Sequence, residues 1–515
     1  MNVIAALSGP WPKAGVIVAG LLVAVALVHP VSPWRAAAML GGLILAPVLL
    51  LADIWHSPQL SVVHRHPLVA VVAALLGVAV VGALAVAIAR RPAWLALLVI
   101  LTLPFRVPIS AGGTTANLLV PLYLVVGAGT LAYLWPLLLG REPGWGGRWR
   151  LEGSSLPSAA VWVQRLLAVV VALYAIQSIY SSDFEKALQQ LVFFYVPFAL
   201  LFCLLRELDW TPELLRRCVA LVAVLALVFA CVGFAEYATK TLFLNPKLVA
   251  ANQVHAYFTV NSVFFDPDIF GRFLALVMVI VAAVLLYARE RREQLAAVAV
   301  LAVLWAALVL TLSRSSLAAL LLGLGVLGAM RWKARRILIA GVAVIIVGIA
   351  AVAASPKTFG LNQGLNGASS GRAGLVSGGL HLFAHRPGWG YGSGSFEVRY
   401  RALHPGTAQT LAASHTIAIT IAAEQGLIGE LPYLALVLVA FVALLRGARG
   451  DPARTAIAAA FSALVLHTEL YADFLEDPVT WTLLAMGVAL AYAARRRPSS
   501  AARVEPSRSL ASART

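Results

Sequence analysis

Acidic side chains are scarce in this 515-residue chain: 22 Asp and Glu stand against 39 Lys and Arg, and all charged residues together make up only 12%. An ordinary soluble domain carries about 25% charged residues, so that class is excluded. Cysteine is nearly absent. Cys203, Cys218 and Cys231 lie within or beside apolar runs, which excludes a disulfide framework or thiolate metal site and leaves packing. No HExxH pair or His/Cys cluster of ligand spacing occurs in the polar connectors, so no metal and no cofactor is expected. A retaining glycosidase is disfavoured because those connectors offer no clear pair of carboxylates flanked by aromatics. Ten-residue alternating segments are missing, which excludes a β-barrel. Neither a fixed-period repeat nor an inverted transporter repeat is visible. The first apolar run, Ala14 to Val28, has only Lys13 ahead of it and no small-residue cleavage site after it, so it reads as a membrane helix and not a cleaved leader.

What fills the chain instead is apolar sequence, 61% of all residues. A bilayer core of about 30 Å needs roughly 20 apolar residues per helix. Such runs fall at 14–29, 36–53, 67–89, 92–104, 117–138, 159–177, 187–205, 216–235, 269–288, 294–312, 315–330, 337–354, 427–445, 455–472 and 479–494. The expected fold class is all-α, a polytopic transmembrane bundle of roughly 13 to 15 spans, with 92–104 short enough to be re-entrant. Its basic residues cluster in short loops: Arg206 with Arg216 and Arg217, Arg289 with Arg291 and Arg292, 331–336, 446–454 and 495–497. These mark the cytoplasmic side and contact lipid headgroups; the net charge of +17 therefore does not imply nucleic acid. Five regions are expected: N-terminal spans 1–158; central spans 159–354 with an outer connector at 237–268; a large, partly helical extracytoplasmic catalytic loop, 355–423; C-terminal spans 424–497; and a disordered basic tail, 498–515.

Chemistry is expected in the polar, glycine-rich stretch from Ser369 to Gly429. Between Ser355 and Ser414, Lys357, Arg372, Arg386, Arg399 and Arg401 face a single carboxylate, Glu397, a balance that favours an anionic ligand. The run Pro387 to Gly394, with Gly390, Gly392 and Gly394, is too glycine-dense for a helix, and its amides suit a diphosphate. Arg372 opens an amphipathic helix with Val376, Leu380 and Phe383 on one face, where its fork matches a pair of phosphate oxygens. His415, with an ordinary pKa of about 6.5, can take a proton from an alcohol as a neutral imidazole. Arg272, a turn inside an apolar helix, needs an anionic partner there; Arg314 marks a tight hairpin. Glu236 is a lone acid inside an apolar run.

Four segments resemble the O-antigen ligase and O-antigen polymerase family of bacterial membrane glycosyltransferases: NSVFFDPDIFGRFL from Asn261, TLSRSSLAALLLG from Thr311, SGRAGLVSGG with HRPGWGYGSGSF from Ser370, and SHTIAITIAAEQGLIG from Ser414. The likeness covers roughly Ser262 to Gly487 and implies transfer of a glycan from a polyprenyl diphosphate to a glycan or lipid acceptor hydroxyl, outside the bacterial inner membrane, with inversion and without metal. It implies that Arg372 binds the leaving diphosphate and that His415 deprotonates the acceptor; Arg272 and Arg314 are further diphosphate-binding candidates, and Gly390, Gly392, Gly394 and Glu424 belong to the substrate loop. The sequence departs from the family at Thr259, where an arginine often falls, and at Asp268 and Thr416, which replace asparagines. Lys247 and His255 join Arg272 and Arg314 as candidates for the second cation. The competing reading is a transporter or flippase of lipid-linked oligosaccharide.

Overall fold

The computed structural model describes residues 9–30, 32–55, 64–111, 114–139, 158–243, 252, 258–332, 335, 339, 341, 346, 372–404 and 414–496. Most of the span expected at 337–354, all of the segment 355–371, Lys247, His255 and the tail lie outside the described residues.

Apolar length and local start signals together fix the helices. Seventeen are used below: α1 Pro10–Val28, α2 Pro33–Ile54, α3 Pro67–Arg90, α4 Ala93–Thr102, α5 Val120–Leu138, α6 Ser158–Gln177, α7 Phe184–Gln190, α8 Val196–Arg206, α9 Pro212–Thr239, α10 Pro267–Tyr287, α11 Arg291–Leu310, α12 Arg314–Arg331, α13 Arg372–His385, α14 Phe396–Leu403, α15 Ile417–Leu445, α16 Pro452–Tyr471 and α17 Pro478–Arg496. Proline opens α1, α2, α3, α9, α10, α16 and α17, where its missing N–H is no loss. Ser32, Thr211, Asp266, Ser313 and Asp451 cap the following helix by accepting a backbone N–H. Among the described residues eleven helices are long and apolar enough to cross a membrane, α7 and α8 counting as one, which matches the expected polytopic bundle. One addition is a short antiparallel hairpin, β1 Val107–Ala111 with β2 Thr114–Leu118. It follows α4, whose ten residues reach only about 15 Å, half a bilayer core.

The helix that fails the apolar test, α16, is the central one. From Arg454 to Leu464 every side chain is buried, and α16 packs against α10, α12, α15 and α17. Shielded from lipid by its neighbours, it can carry Ser462, His467, Thr468 and Glu469 without exposing them to hydrocarbon.

Two ends of the bundle differ. At one, Arg35 and Arg206 flank Glu207, with N–O distances of 2.7 and 3.0 Å and all three side chains buried. The same arginines donate to the last carbonyls of α1, Arg35 Nε to Ala26 and Arg206 Nη1 to Leu27. At the other, Lys13 at the start of α1 donates to the Ile179 carbonyl, beside the glycine loop. The first third, which the charge pattern orients poorly, is thereby pinned: α1 starts at the His415 end and finishes at the basic end.

Candidate functional site

Arg372 and His415 converge on the last turn of α16. Arg372 Nη1 donates to the Leu470 carbonyl at 2.8 Å, and the His415 ring stands edge-on to that of Tyr471, 5.7 Å between centroids. The two functional residues expected from the sequence, 43 positions apart along the chain, therefore sit on adjacent residues of one helix end. His415 adopts a left-handed backbone (φ 58°), uncommon for a residue with a Cβ. Leu312, Ala472 and Asp473, on the segments around it, do the same. Each such conformation costs on the order of 1 kcal/mol or more and persists only where the surroundings enforce it.

Burial, and then the Arg372 guanidinium, hold the His415 imidazole below its ordinary value of 6.5, against the opposing pull of the Tyr471 backbone and the Asp268 and Asp473 carboxylates. Neutral imidazole is the form able to accept a proton. An activity that needs it is expected to fall with a midpoint below pH 6.5, and Arg372→Ala is expected to move that midpoint upward. A pH profile of turnover in the two proteins checks both points.

Behind Arg372 lies Asp268, at the start of α10. Its Oδ2 is 3.4 Å from Arg372 Nη2. Its Oδ1 accepts from the Ser313 and Ser315 hydroxyls, and its carbonyl accepts from Ser316 at 3.3 Å. A Cβ on Gly271 would meet Ser316 Oγ at 2.6 Å, so glycine there lets α10 and α12 touch. Glu236, the lone acid of α9, accepts from the amides of Asn261 and Ser262 at 3.1 and 2.8 Å. It shapes the NSVFFDPD turn that delivers Asp266 and Asp268.

Three expectations are corrected. Amides of the glycine loop do not lie open for a diphosphate, because Glu424 already occupies them: its carboxylate accepts from Gly394 at 2.8 Å and Phe396 at 3.0 Å, and its carbonyl from Gly392 at 2.7 Å. Positive φ at Gly390, Gly392 and Gly394 and their close approaches, such as 2.2 Å from a Gly390 Cβ to the Glu424 carbonyl, make the loop a clamp around the break in α15 at Gly426 (φ 62°). Ser181 and Tyr180 donate to the carbonyls of Ser393 and Trp389 and tie that clamp to α6. Glu424→Ala leaves two buried amides without acceptors and is expected to cost about 3 kcal/mol, read as a lowered thermal midpoint of the purified protein; Glu424→Gln, which keeps one acceptor oxygen and turns an NH2 to the other amide, costs less.

Arg272 is the second correction. It finds its anion inside the chain, Asp477 at 2.7 Å, with both side chains buried, so no diphosphate is needed to pair its charge. The third is the face of α13. Leu375, Gly378, Gly379 and Leu382 are buried, whereas Leu380 is exposed. The two glycines decide this, since a Cβ at Gly378 would meet the Tyr400 ring at 2.3 Å and one at Gly379 would meet Ile419 at 2.5 Å. Arg314 is exposed as the first residue of α12, between Ser313 and Ser315.

An apolar cleft of about 180 Å³ runs between α4, α9, α10, α16 and α17, with Arg106, Arg272 and Asp477 among its lining residues. From Ile269 to Ile280 it follows α10 for roughly 16 Å. Arg372 and His415 do not line it, whereas Ile269, next to Asp268 in the chain, does. Sequence reading missed Asp266, the three serines, His467, Tyr471 and Asp477 as members of this site. A His467-to-Tyr471 spacing of one helical turn, in a span that also carries Thr468 and Glu469, was the available signal.

Residues 298–434 match the O-antigen ligase family model. That stretch holds Ser313 to Ser316, Arg372, His415 and Glu424, and it ends before His467. The resemblance read from the motifs is thus shown over that stretch, which leaves out the segment from Asn261, and the match supports a general role in glycan transfer at a membrane. No curated protein matches the chain.

Proposed function

We propose that the protein, as the bearer of an O-antigen ligase domain, transfers a glycan from a polyprenyl-diphosphate carrier to an acceptor hydroxyl, as a ligase or polymerase, on the extracytoplasmic side of a bacterial inner membrane. One observation carries this reading: a guanidinium and an imidazole, remote in sequence, meet on the Leu470–Tyr471 turn. In the step envisaged, the acceptor oxygen bonds to the anomeric carbon while the bond from that carbon to the diphosphate breaks. His415 takes the hydroxyl proton. Arg372, with its side chain 35% exposed and N–H groups to spare, meets the negative charge that gathers on the leaving diphosphate. A single displacement of this kind inverts the anomeric centre and needs no cation beyond arginine.

Orientation supports the reading, since the basic loops assign the Arg206 end to the cytoplasm and the His415 end to the outside. The segment 355–423 then acts as the catalytic loop, with Arg314 next to the serines as a further diphosphate contact. The apolar cleft beside Asp268 suits the polyprenyl chain. Purified protein given a polyprenyl-diphosphate-linked oligosaccharide and an acceptor is expected to release free polyprenyl diphosphate. Movement of intact substrate across vesicles with no bond made would replace this reading by transport.

A further inference from the structure

His467 is fully buried on α16 and belongs to none of the roles assigned above. Its Nε2 lies 3.3 Å from Ser315 Oγ and 3.2 Å from Ser316 Oγ. Ser313 and Ser315 donate to Asp268 Oδ1, while Ser316 Oγ lies 3.3 Å from the Asp268 carbonyl and 2.8 Å from Ser313 Oγ. A hydroxyl has one hydrogen; with that of Ser315 on the carboxylate, its oxygen faces His467 as an acceptor, which assigns the proton to Nε2. Nδ1, buried, has no partner. A relay therefore runs from His467 through the serines to Asp268 Oδ1, and from Oδ2 to Arg372 at 3.4 Å.

We propose that His467 is a positioning residue for Arg372: as a fixed donor it sets the direction of Ser315 and Ser316, which lock the Asp268 carboxylate so that one oxygen is left to hold the guanidinium. The Arg372–Asp268 pair is long and the side chain is partly open to its surroundings, so direct contact with the carboxylate does not by itself fix the guanidinium plane. The Leu470 carbonyl fixes one nitrogen, and the relay fixes the plane. His467 and Leu470 lie on the same helix, three residues apart, so α16 sets both points of attachment. This inference rests on the proposed function only for its effect on turnover; the relay itself is a property of the free protein.

The test reads Arg372 directly. Phenylglyoxal modification of Arg372, followed by mass spectrometry of the purified protein, is compared in the unmodified sequence, His467→Leu, His467→Gln, Asp268→Ala and His467→Leu/Asp268→Ala. His467→Leu and Asp268→Ala are each expected to raise the modification rate several-fold, and the double variant no further, because both break the same relay. His467→Gln, which restores a donor near the Nε2 position, is expected to return the rate to that of the unmodified protein and to fold where leucine does not. An unchanged rate in His467→Leu, or effects that multiply in the double variant, would overturn the relay. Turnover is expected to fall about tenfold in His467→Leu with KM for the lipid-linked donor unchanged. Farnesyl diphosphate binding to the unmodified protein separates the two ideas: its absence counts against the proposed donor and leaves the modification result to decide the relay.

Discussion

Alanine at Arg372 is expected to lower glycan transfer by about 10³-fold while leaving the thermal midpoint within a degree or two of the unmodified protein. The size follows from what such a group does. A preorganised cation aimed at developing charge in a site with little water contributes about 10²–10³ in rate, and at this position the guanidinium has lost part of its exposure while its one carboxylate partner, Asp268, stands at 3.4 Å. Lysine is expected to recover only a small part, since it is a point charge and cannot hold the Leu470 carbonyl and Asp268 while presenting a second edge to phosphate. His415→Ala should match it in effect, about 10²–10⁴-fold for loss of a general base. His415→Gln should not rescue, because an amide does not take a proton near neutral pH. The left-handed backbone of His415 makes one control necessary: His415→Gly, which relieves strain and removes the ring, should be stable and inactive. Full transfer in either the Arg372 or the His415 alanine variant would remove that residue from the mechanism.

The largest effect on stability is expected far from that site, at Glu207. Arg35 Nη1 and Arg206 Nη2 both reach one carboxylate oxygen, at 2.7 and 3.0 Å, with side chains 1%, 7% and 4% exposed for Arg35, Arg206 and Glu207. Glu207→Gln keeps the shape and deletes the charge, leaving two buried guanidiniums without an anion. Breaking a buried pair by removing one partner costs about 3–5 kcal/mol, and here two cations lose the same partner. The Arg35 Nη2 and Arg206 Nε atoms already lack acceptors, so nothing nearby compensates. Burial alone would raise the Glu207 pKa, but Arg35 and then Arg206 overcome it and hold it below 4.5. A carboxylate with a depressed folded-state pKa contributes stability that is complete above its unfolded value and is lost as pH falls through the folded value. The unmodified protein should therefore keep this contribution at pH 5 and lose it as pH falls below 4.5, while Glu207→Gln should be weak at every pH. Thermal unfolding in detergent at pH 4, 5 and 7 checks both parts.

Much of the bundle was legible because the signals are local. An apolar run of about 20 residues must become a helix in hydrocarbon, where every backbone group needs an internal partner. A proline or a capping serine, threonine or aspartate then says where it starts. Arg372 and His415 were legible for a related reason: each stands at a break between an apolar helix and a polar connector, in a short run of distinctive spacing. The β1–β2 hairpin was not, because a short strand pair beside a half-length helix leaves the same apolar signature as a re-entrant segment. Glycine-rich loops mislead in a specific way. A nest of amides will hold any anion, and the run from Gly390 to Gly394 does not say that the anion is Glu424, thirty residues on in the same chain.

Sequence alone determined the helical, membrane-spanning class, the helix starts and the asymmetric placement of basic loops, and it singled out Arg372 and His415 as the candidate residues. Tertiary structure decided their partners: Asp268 for Arg372, Asp477 for Arg272, His467 behind the serines, and the α13 face rotated onto Gly378 and Gly379. The division has a physical cause. Helix formation and capping depend on residues within one or two turns, whereas each of these contacts depends on which helices become neighbours, and that is settled by packing all the spans at once around the buried polar helix α16.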